Sequence, residues 1–260
     1  MMLKKITRLH AGAALLSALS LALVTGCSEG GSAAKSGSDA AGGSGPAAKP
    51  LTETELKALH LTNDEVEKGF KVKKAPAAPG DREDVKSTDP KCLAIAQTVS
   101  GFAPGSPAAE TLSNVVEDKE APESMEGMEP EEWKDAFDDS MDMDMVIVSL
   151  ASYEGEGAQE GVAAASASAK DCAGGFDMKF DGAQKVNKVV EEKASGKGDE
   201  SVAYAVTVAA EEGEATVHVE VVRQGNVVAT FYGSNLARLV DNKPYDIPSH
   251  VIDAQAAKLA

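Results

Sequence analysis

The chain has 260 residues, with 42 acidic against 25 basic side chains and a formal net charge of −17. Such a surface repels phosphate backbones and anionic headgroups, which excludes nucleic acid as the expected partner; it attracts cations or basic peptides and above all keeps the chain soluble. Its 3 cysteines and 4 histidines fall in no C-x-x-C or H-E-x-x-H pattern, so no zinc or redox motif can be read from them.

Lys4, Lys5 and Arg8 precede an apolar run from Ala11 to Val24, which closes in Val24-Thr25-Gly26-Cys27. A basic start followed by an apolar run of about 14 residues and small residues is the pattern of an export signal. The run is shorter than the roughly 20 residues a helix needs to cross the hydrocarbon core, so a permanent transmembrane anchor is the weaker reading. Val24-Thr25-Gly26-Cys27 resembles the lipobox of bacterial lipoproteins. The resemblance implies a signal peptide over residues 1–26, a diacylglycerol thioether on Cys27, and a mature protein lipid-anchored on the outer face of the cytoplasmic membrane. An ordinary secretory signal is the alternative, and it leaves Cys27 as an odd free thiol. Cleavage removes Lys4, Lys5 and Arg8 and takes the net charge from −17 to −20. Residues 27–50 are the lipidated cysteine and a tether of Gly, Ser and Ala that cannot bury a core and is expected to be disordered, with a mean reach of roughly 25 Å.

Residues 51–260 have the length of one domain. Leu51-Thr52-x-x-Glu55 and Leu61-Thr62-x-x-Glu65 each read as a capping box opening a short helix, the second ending near Gly69. Pro76, Pro79 and Gly80 make a loop. From Asp89 a helix runs through Cys92, Ile95, Ala96 and Val99 to Ser100-Gly101, which puts Cys92 in its first turn. An Ala- and Ser-rich helix over Gly157–Lys170 leads to Cys172. Beyond Cys27 only these two cysteines remain, and an exported chain meets oxidising conditions, so a Cys92–Cys172 disulfide joining two helices is predicted. Closing a loop of about 80 residues stabilises the fold by about 4 to 5 kcal/mol on the chain-entropy model. A metal-binding or redox pair is the alternative, without a histidine nearby in sequence to favour it.

Between Glu117 and Asp144 lie 13 acidic residues against Lys119 and Lys134, with the sole tryptophan, Trp133, and Phe137 among them. This acidic insertion, about 117–144, ends in a predicted strand that carries Met141, Met143, Met145 and Ile147 on one face and continues to about Tyr153. Few apolar residues tie down Glu120–Asp139, so that stretch is expected to be mobile. Further strands are predicted around Phe176–Phe180, Val186–Glu191, Ser201–Ala209, Ala215–Arg223 and Val227–Tyr232. Ser195-Gly196-Lys197-Gly198, Glu211-Glu212-Gly213 and Gln224-Gly225-Asn226 supply turns between them. An amphipathic helix over Ser249–Leu259 closes the chain. The expected class is α+β, an antiparallel sheet with helices packed on one side, preceded by the signal peptide and tether.

Catalytic patterns are wanting. His60, His218 and His250 are far apart, no Gly-x-Ser-x-Gly elbow surrounds a serine, and bridged cysteines offer no nucleophile. No cofactor is called for. Gly155-Glu156-Gly157-Ala158-Gln159-Glu160-Gly161 follows a strand and opens a helix in the manner of a dinucleotide-binding loop. Glu154, Glu156 and Glu160 would face a pyrophosphate with like charge, so an ordinary strand-to-helix connection is the reading. Met141, Met143 and Met145, with Met125 and Met128 nearby, line a pocket or fill a core on one reading and bind Cu(I) through soft thioethers on another.

Two patterns resemble the extracellular sensor-like domains of actinobacterial lipoproteins and PknH-type receptor kinases. One is Leu61-Thr62-Asn63-Asp64-Glu65-Val66-Glu67-Lys68-Gly69-Phe70-x-Val72, similar to the family's opening helix and Gly-aromatic-x-Val; the other is Val221-Val222-Arg223-Gln224-Gly225-Asn226-Val227-Val228, similar to its late hairpin. The acidic, Met-containing insertion departs from the pattern, as does the absence of a second disulfide. The resemblance implies a non-catalytic, surface-tethered domain that binds an unidentified small ligand or envelope protein. A carrier of lipid or another small hydrophobic molecule is the alternative, and a copper-binding lipoprotein the third reading. A large apolar cavity lined by Met141, Met143 and Met145 would favour the carrier; a polar groove would favour partner binding.

Overall fold

The computed structural model describes residues 49–76, 80–119, 129–210, 213–241 and 243–260. The signal peptide, Cys27 and the tether as far as Ala48 lie outside them, as do residues 120–128 of the acidic insertion. In chain order the described elements are α1 (Glu53–Leu59), β1 (Phe70–Lys74), β2 (Lys86–Ser87), α2 (Leu93–Val99), β3 (Ala109–Glu117), α3 (Pro130–Met141), β4 (Asp144–Ser152), α4 (Gly157–Asp171), β5 (Phe176–Lys179), β6 (Ala183–Glu192), β7 (Glu200–Ala210), β8 (Gly213–Gln224), β9 (Val227–Asn235), α5 (Leu236–Asp241) and α6 (Ser249–Leu259), with short 3-10 turns at Arg82–Asp84 and Pro90–Cys92. The strands join in one sheet, ordered β1-β3-β4-β9-β8-β7-β6-β5-β2, with every pairing antiparallel. The α+β class is as expected.

Period-two alternation assigns each face. On β8 and β9, Val217, Val219, Val221 and Val228 turn to one side with Tyr204, Val206, Val186 and Val189, where Ile95 of α2 and Val162, Ala165 and Ala169 of α4 cover them. Val222, Ala229 and Phe231 turn to the other with Val115, Val146, Val148 and Leu150, under Leu56 of α1 and Val251 and Ile252 of α6. The sequence reading placed the helices on one side; α2 and α4 cover one face of the sheet, and α1 with α6 covers the reverse face. The small side chains of α4 let it lie close to the sheet. Cys92, at the end of the 3-10 turn, and Cys172, the C-cap of α4, form the predicted disulfide, with Cα atoms 5.8 Å apart. Both cores are built from residues in the part of the chain from 49 onward.

Three local expectations give way to tertiary structure. Thr62 and Glu65 make their reciprocal contacts, Glu65 accepting from the Thr62 amide and hydroxyl at 2.9 Å each, yet no helix follows. Asn63 Oδ1 accepts the Val72 amide at 2.7 Å and Gly69 takes φ +98°, so the chain turns at once into β1, which pairs with β3 and packs Phe70 and Val72 against the second core. A single capped turn has too little helix to compete with that pairing. The strand expected from Met141 begins at Asp144, because α3 runs through Met141. The second half of the stretch expected to be mobile is that helix: Pro130 stands at N1, Glu129 and Glu132 form a capping box, and Glu131 and Glu132 complement the positive end of the helix dipole.

Candidate functional site

The face of the sheet that carries α1 and α6 is not covered evenly. Registers place Lys188, Val190 and Glu192 of β6, Ala203, Ala205 and Thr207 of β7, and Thr216, His218 and Glu220 of β8 side by side on that face. Over the outer strands none of the described helices lies on them, and Val190 is 41% exposed. The segment from Lys243 to Pro248 crosses the neighbouring strands instead. It can do so because Gly233 leaves a gap in the row of side chains along β9: a Cβ there would stand 2.7 Å from Ile247 Cγ1. Tyr245 fixes the crossing by donating its hydroxyl to Thr216 O at 2.8 Å and Gly233 O at 3.3 Å. Its ring meets His218 edge-on at 4.8 Å between centroids.

A groove of about 410 Å³ results, with Val190, Ala205, Thr207 and Thr216 as its floor and Arg238, Lys243, Tyr245 and Asp246 along one wall. Around Tyr245 and Asp246 it runs into a second hollow of about 350 Å³ over Glu117, Asp142, Asp144 and Asn235. Past His218 it meets a third of about 240 Å³ at Glu220 and Ser195. The floor is short-chained and the rim charged.

The rim is held by its own pairs. Arg238 donates from Nε to Asp142 Oδ1 at 3.1 Å and from Nη2 to Oδ2 at 3.3 Å. The buried Asn235 amide bridges Asp142 and Asp144 at 3.0 and 2.8 Å. These bonds, that of Arg238 first, hold the Asp142 carboxyl below its usual pKa. His218 Nδ1 lies 3.0 Å from Glu192 Oε2. Glu220, only 5% exposed, accepts the Ser195 amide at 2.9 Å and the Ser195 hydroxyl. Burial raises its pKa, and Asp253 adds to the effect.

The residues singled out from sequence are dispersed. Met141 ends α3, Met143 lies in the connector, and Met145 sits in β4 on the face opposite Asp144, so the three do not share one strand face. It is Asp142 and Asp144, between them, that line the cavity. Cys92 and Cys172 join α2 to α4 away from the groove. Gly155–Gly161 is a strand-to-helix connection as read, beside a wide hollow of about 690 Å³ lined by Glu154, Glu156 and Glu160. Larger than the groove, this hollow carries like charge only, and we take the groove as the candidate site because both charge signs and a fixed rim converge there.

His60 is closed off in the core. It is 8% exposed, with Nε2 2.9 Å from Thr111 Oγ1 and Nδ1 2.8 Å from Ser113 Oγ. Burial pushes its pKa down to about 4, and the nearby Lys258 acts in the same direction. Sequence reasoning missed Arg238, Asn235, Tyr245 and Asp246 altogether; the one local signal was Gly233, an isolated glycine within an apolar strand pattern.

No protein-family model matches the chain, and no curated protein matches it. Among solved structures it is similar to the extracellular domain of PknH from Mycobacterium tuberculosis, at 14% identity and a TM-score of 0.41, covering 81% of this chain and 95% of that one. It is also similar to a putative uncharacterized protein from Mycobacterium smegmatis, at 12% identity and a TM-score of 0.35, covering 79% of this chain and 94% of that one.

Proposed function

We propose that this chain is a membrane-tethered lipoprotein, acylated at Cys27, whose folded domain binds a polar ligand or an extended segment of an envelope protein without catalysing its conversion. The observation that carries the reading is the groove between the β6–β8 surface and the Lys243–Pro248 segment. Its floor of short side chains admits a ligand to the sheet, its rim offers charges of both signs, and Tyr245 holds the rim in place before any ligand arrives. A preformed site of this kind keeps the ordering cost of binding low. The Ser113–His60 hydrogen bond, a geometry that nucleophile–base pairs also use, is buried beneath α1 and α6 where no substrate reaches it. A charged rim also suits a polar ligand better than the acyl chains that a lipid carrier must enclose.

Two experiments test the two halves of the reading. Metabolic labelling with an alkyne-bearing palmitate should mark the wild-type chain and not Cys27→Ala; equal labelling removes the anchor. For the groove, Tm shifts of the domain are measured against a library of sugars, dipeptides and small anions, in the wild type and in Thr207→Trp, which fills the floor. A ligand whose shift persists unchanged in Thr207→Trp binds elsewhere and overturns the assignment.

A further inference from the structure

The groove keeps its two charge signs apart, and their placement selects a ligand. Register sets its floor in rows across the strands. Lys188, Thr207 and Thr216 share one row; Val190, Ala205 and His218 share the next on that face, two residues or roughly 7 Å further along. In the first row Thr207 Oγ1 and Thr216 Oγ1 lie 2.9 Å apart. Each hydroxyl has one hydrogen, and the bond between them uses only one of the two. The other finds no acceptor among the described residues. Lys188 ends the row with an exposed side chain that makes no hydrogen bond or ion pair among the described residues. Carboxylates at nearby strand positions are engaged elsewhere: Glu191 with Lys170, Glu192 with His218 and Glu214 with Asn187. This row is therefore a set of donors in want of an acceptor.

The facing wall holds the complement. Asp246 lines the groove and both of the hollows that join it, beside His218 in two of the three. It is exposed, and its side chain too has no partner among the described residues. Its neighbours fix the backbone there, Tyr245 through its bonds to Thr216 O and Gly233 O and Ile247 by its seat over Gly233. Lys188 and Asp246 thus open onto one space from opposite sides without pairing with each other. A phosphate or other dianion would meet Asp246 and the surplus negative charge of the chain, whereas a carboxylate joined to an ammonium brings no net charge.

We propose that the groove takes a short peptide with both ends free, a dipeptide or tripeptide, whose carboxylate lies on Lys188 and the Thr207–Thr216 pair and whose ammonium meets Asp246. The proposal rests on the ligand-binding reading of the groove and narrows it. An extended chain covers at most roughly 3.3 to 3.6 Å per residue, so about two residues join one row to the next. Val190 and Ala205 leave a low apolar floor between the charged ends, which suits small side chains.

The test is calorimetric titration of the full-length chain in non-ionic detergent with Ala-Ala and Ala-Ala-Ala, each also in N-acetylated and C-amidated form. The free peptides should bind saturably, and each cap should raise Kd by at least roughly tenfold, as expected for one lost charge-assisted hydrogen bond. Lys188→Met should weaken the free peptides by a similar factor and abolish the penalty of amidation while keeping that of acetylation; Asp246→Asn should do the converse. Both side chains are exposed, so neither substitution touches the core, and a general effect of charge would change both penalties alike. Thr207→Trp should remove the binding. Equal affinity for free and capped peptides assigns the groove to internal segments of a protein and overturns the proposal. Cap penalties that survive both substitutions place the peptide ends elsewhere and overturn it as well. If no peptide binds, the proposal falls, and the wider ligand library separates it from the groove reading. A sugar or small anion whose Tm shift is lost in Thr207→Trp keeps the groove as a ligand site, whereas silence across the library removes both.

Discussion

His60 offers a quantitative test of how the second core is built. His60 is the C-cap residue of α1, and its ring lies between Thr111 and Ser113 of β3, with both nitrogens bonded to hydroxyls. A neutral imidazole satisfies that arrangement, donating to one hydroxyl and accepting from the other. Among the described charged groups, Lys258 bonds the His60 carbonyl at 2.8 Å and in turn holds Glu65 at 2.6 Å, so a second positive charge on the ring is unwelcome. The folded pKa is about 4, against 6.5 for the free side chain. The unfolded chain therefore takes up the proton first. The contribution is fully present above the unfolded value and is lost as pH falls from about 6.5 to about 4. At 1.36 kcal/mol per pH unit this amounts to about 3 kcal/mol. Urea denaturation of wild type and His60→Gln across pH 7 to 4.5 isolates the effect, since carboxylates that titrate over that range act equally in both proteins. The wild type should lose about 2 to 3 kcal/mol more than the variant. Parallel stability curves would refute the assignment of a buried, neutral ring, whatever the variant costs at pH 7.

Other consequences follow from the same packing. Reduction of Cys92–Cys172, which closes 80 residues of chain, should lower unfolding stability by about 4 kcal/mol in urea melts with and without reductant; an unchanged midpoint contradicts the crosslink's role. Glu110→Ala should cost about 3 to 5 kcal/mol. It removes the partner of Arg82, with side chains only 16% and 13% exposed, and strands the Ala103 amide and Ser149 hydroxyl that Glu110 accepts; a loss below about 1 kcal/mol would place the pair in solvent. Gly233→Val should push Ile247 aside, costing about 1 to 3 kcal/mol. Hydrogen exchange should then rise in residues 243–248, and unchanged protection there would show that the segment does not depend on the glycine.

The elements legible in the chain were those whose own side chains declare a period. β7 and β8 alternate cleanly over Ser201–Ala209 and Ala215–Arg223, and turn residues separate them. α4 and α6 carry small and apolar residues at helical spacing, and both appear close to the limits read from sequence. β3 was illegible because it is buried on both faces: Thr111 and Ser113 serve His60 on one side while Asn114 and Val116 are covered on the other. A strand closed on both faces loses the alternation that marks a half-exposed one. The capping box at Thr62 misled for the opposite reason, since a correct local contact was absorbed into a turn by the pairing of β1 with β3.

Sequence was sufficient for the α+β class and for the partnership of Cys92 with Cys172, because each rests on composition, short-range order or the scarcity of a residue type. The groove belongs to tertiary structure alone. Lys188, Thr207, His218, Arg238 and Tyr245 come from five separate segments, and nothing in their spacing relates them until the sheet aligns β6, β7 and β8 and the chain crosses at Gly233. The methionine pattern shows the same division. Alternation along Met141-Asp142-Met143-Asp144-Met145 was real, but where α3 stops and β4 starts decided that the aspartates, rather than the thioethers, line the cavity.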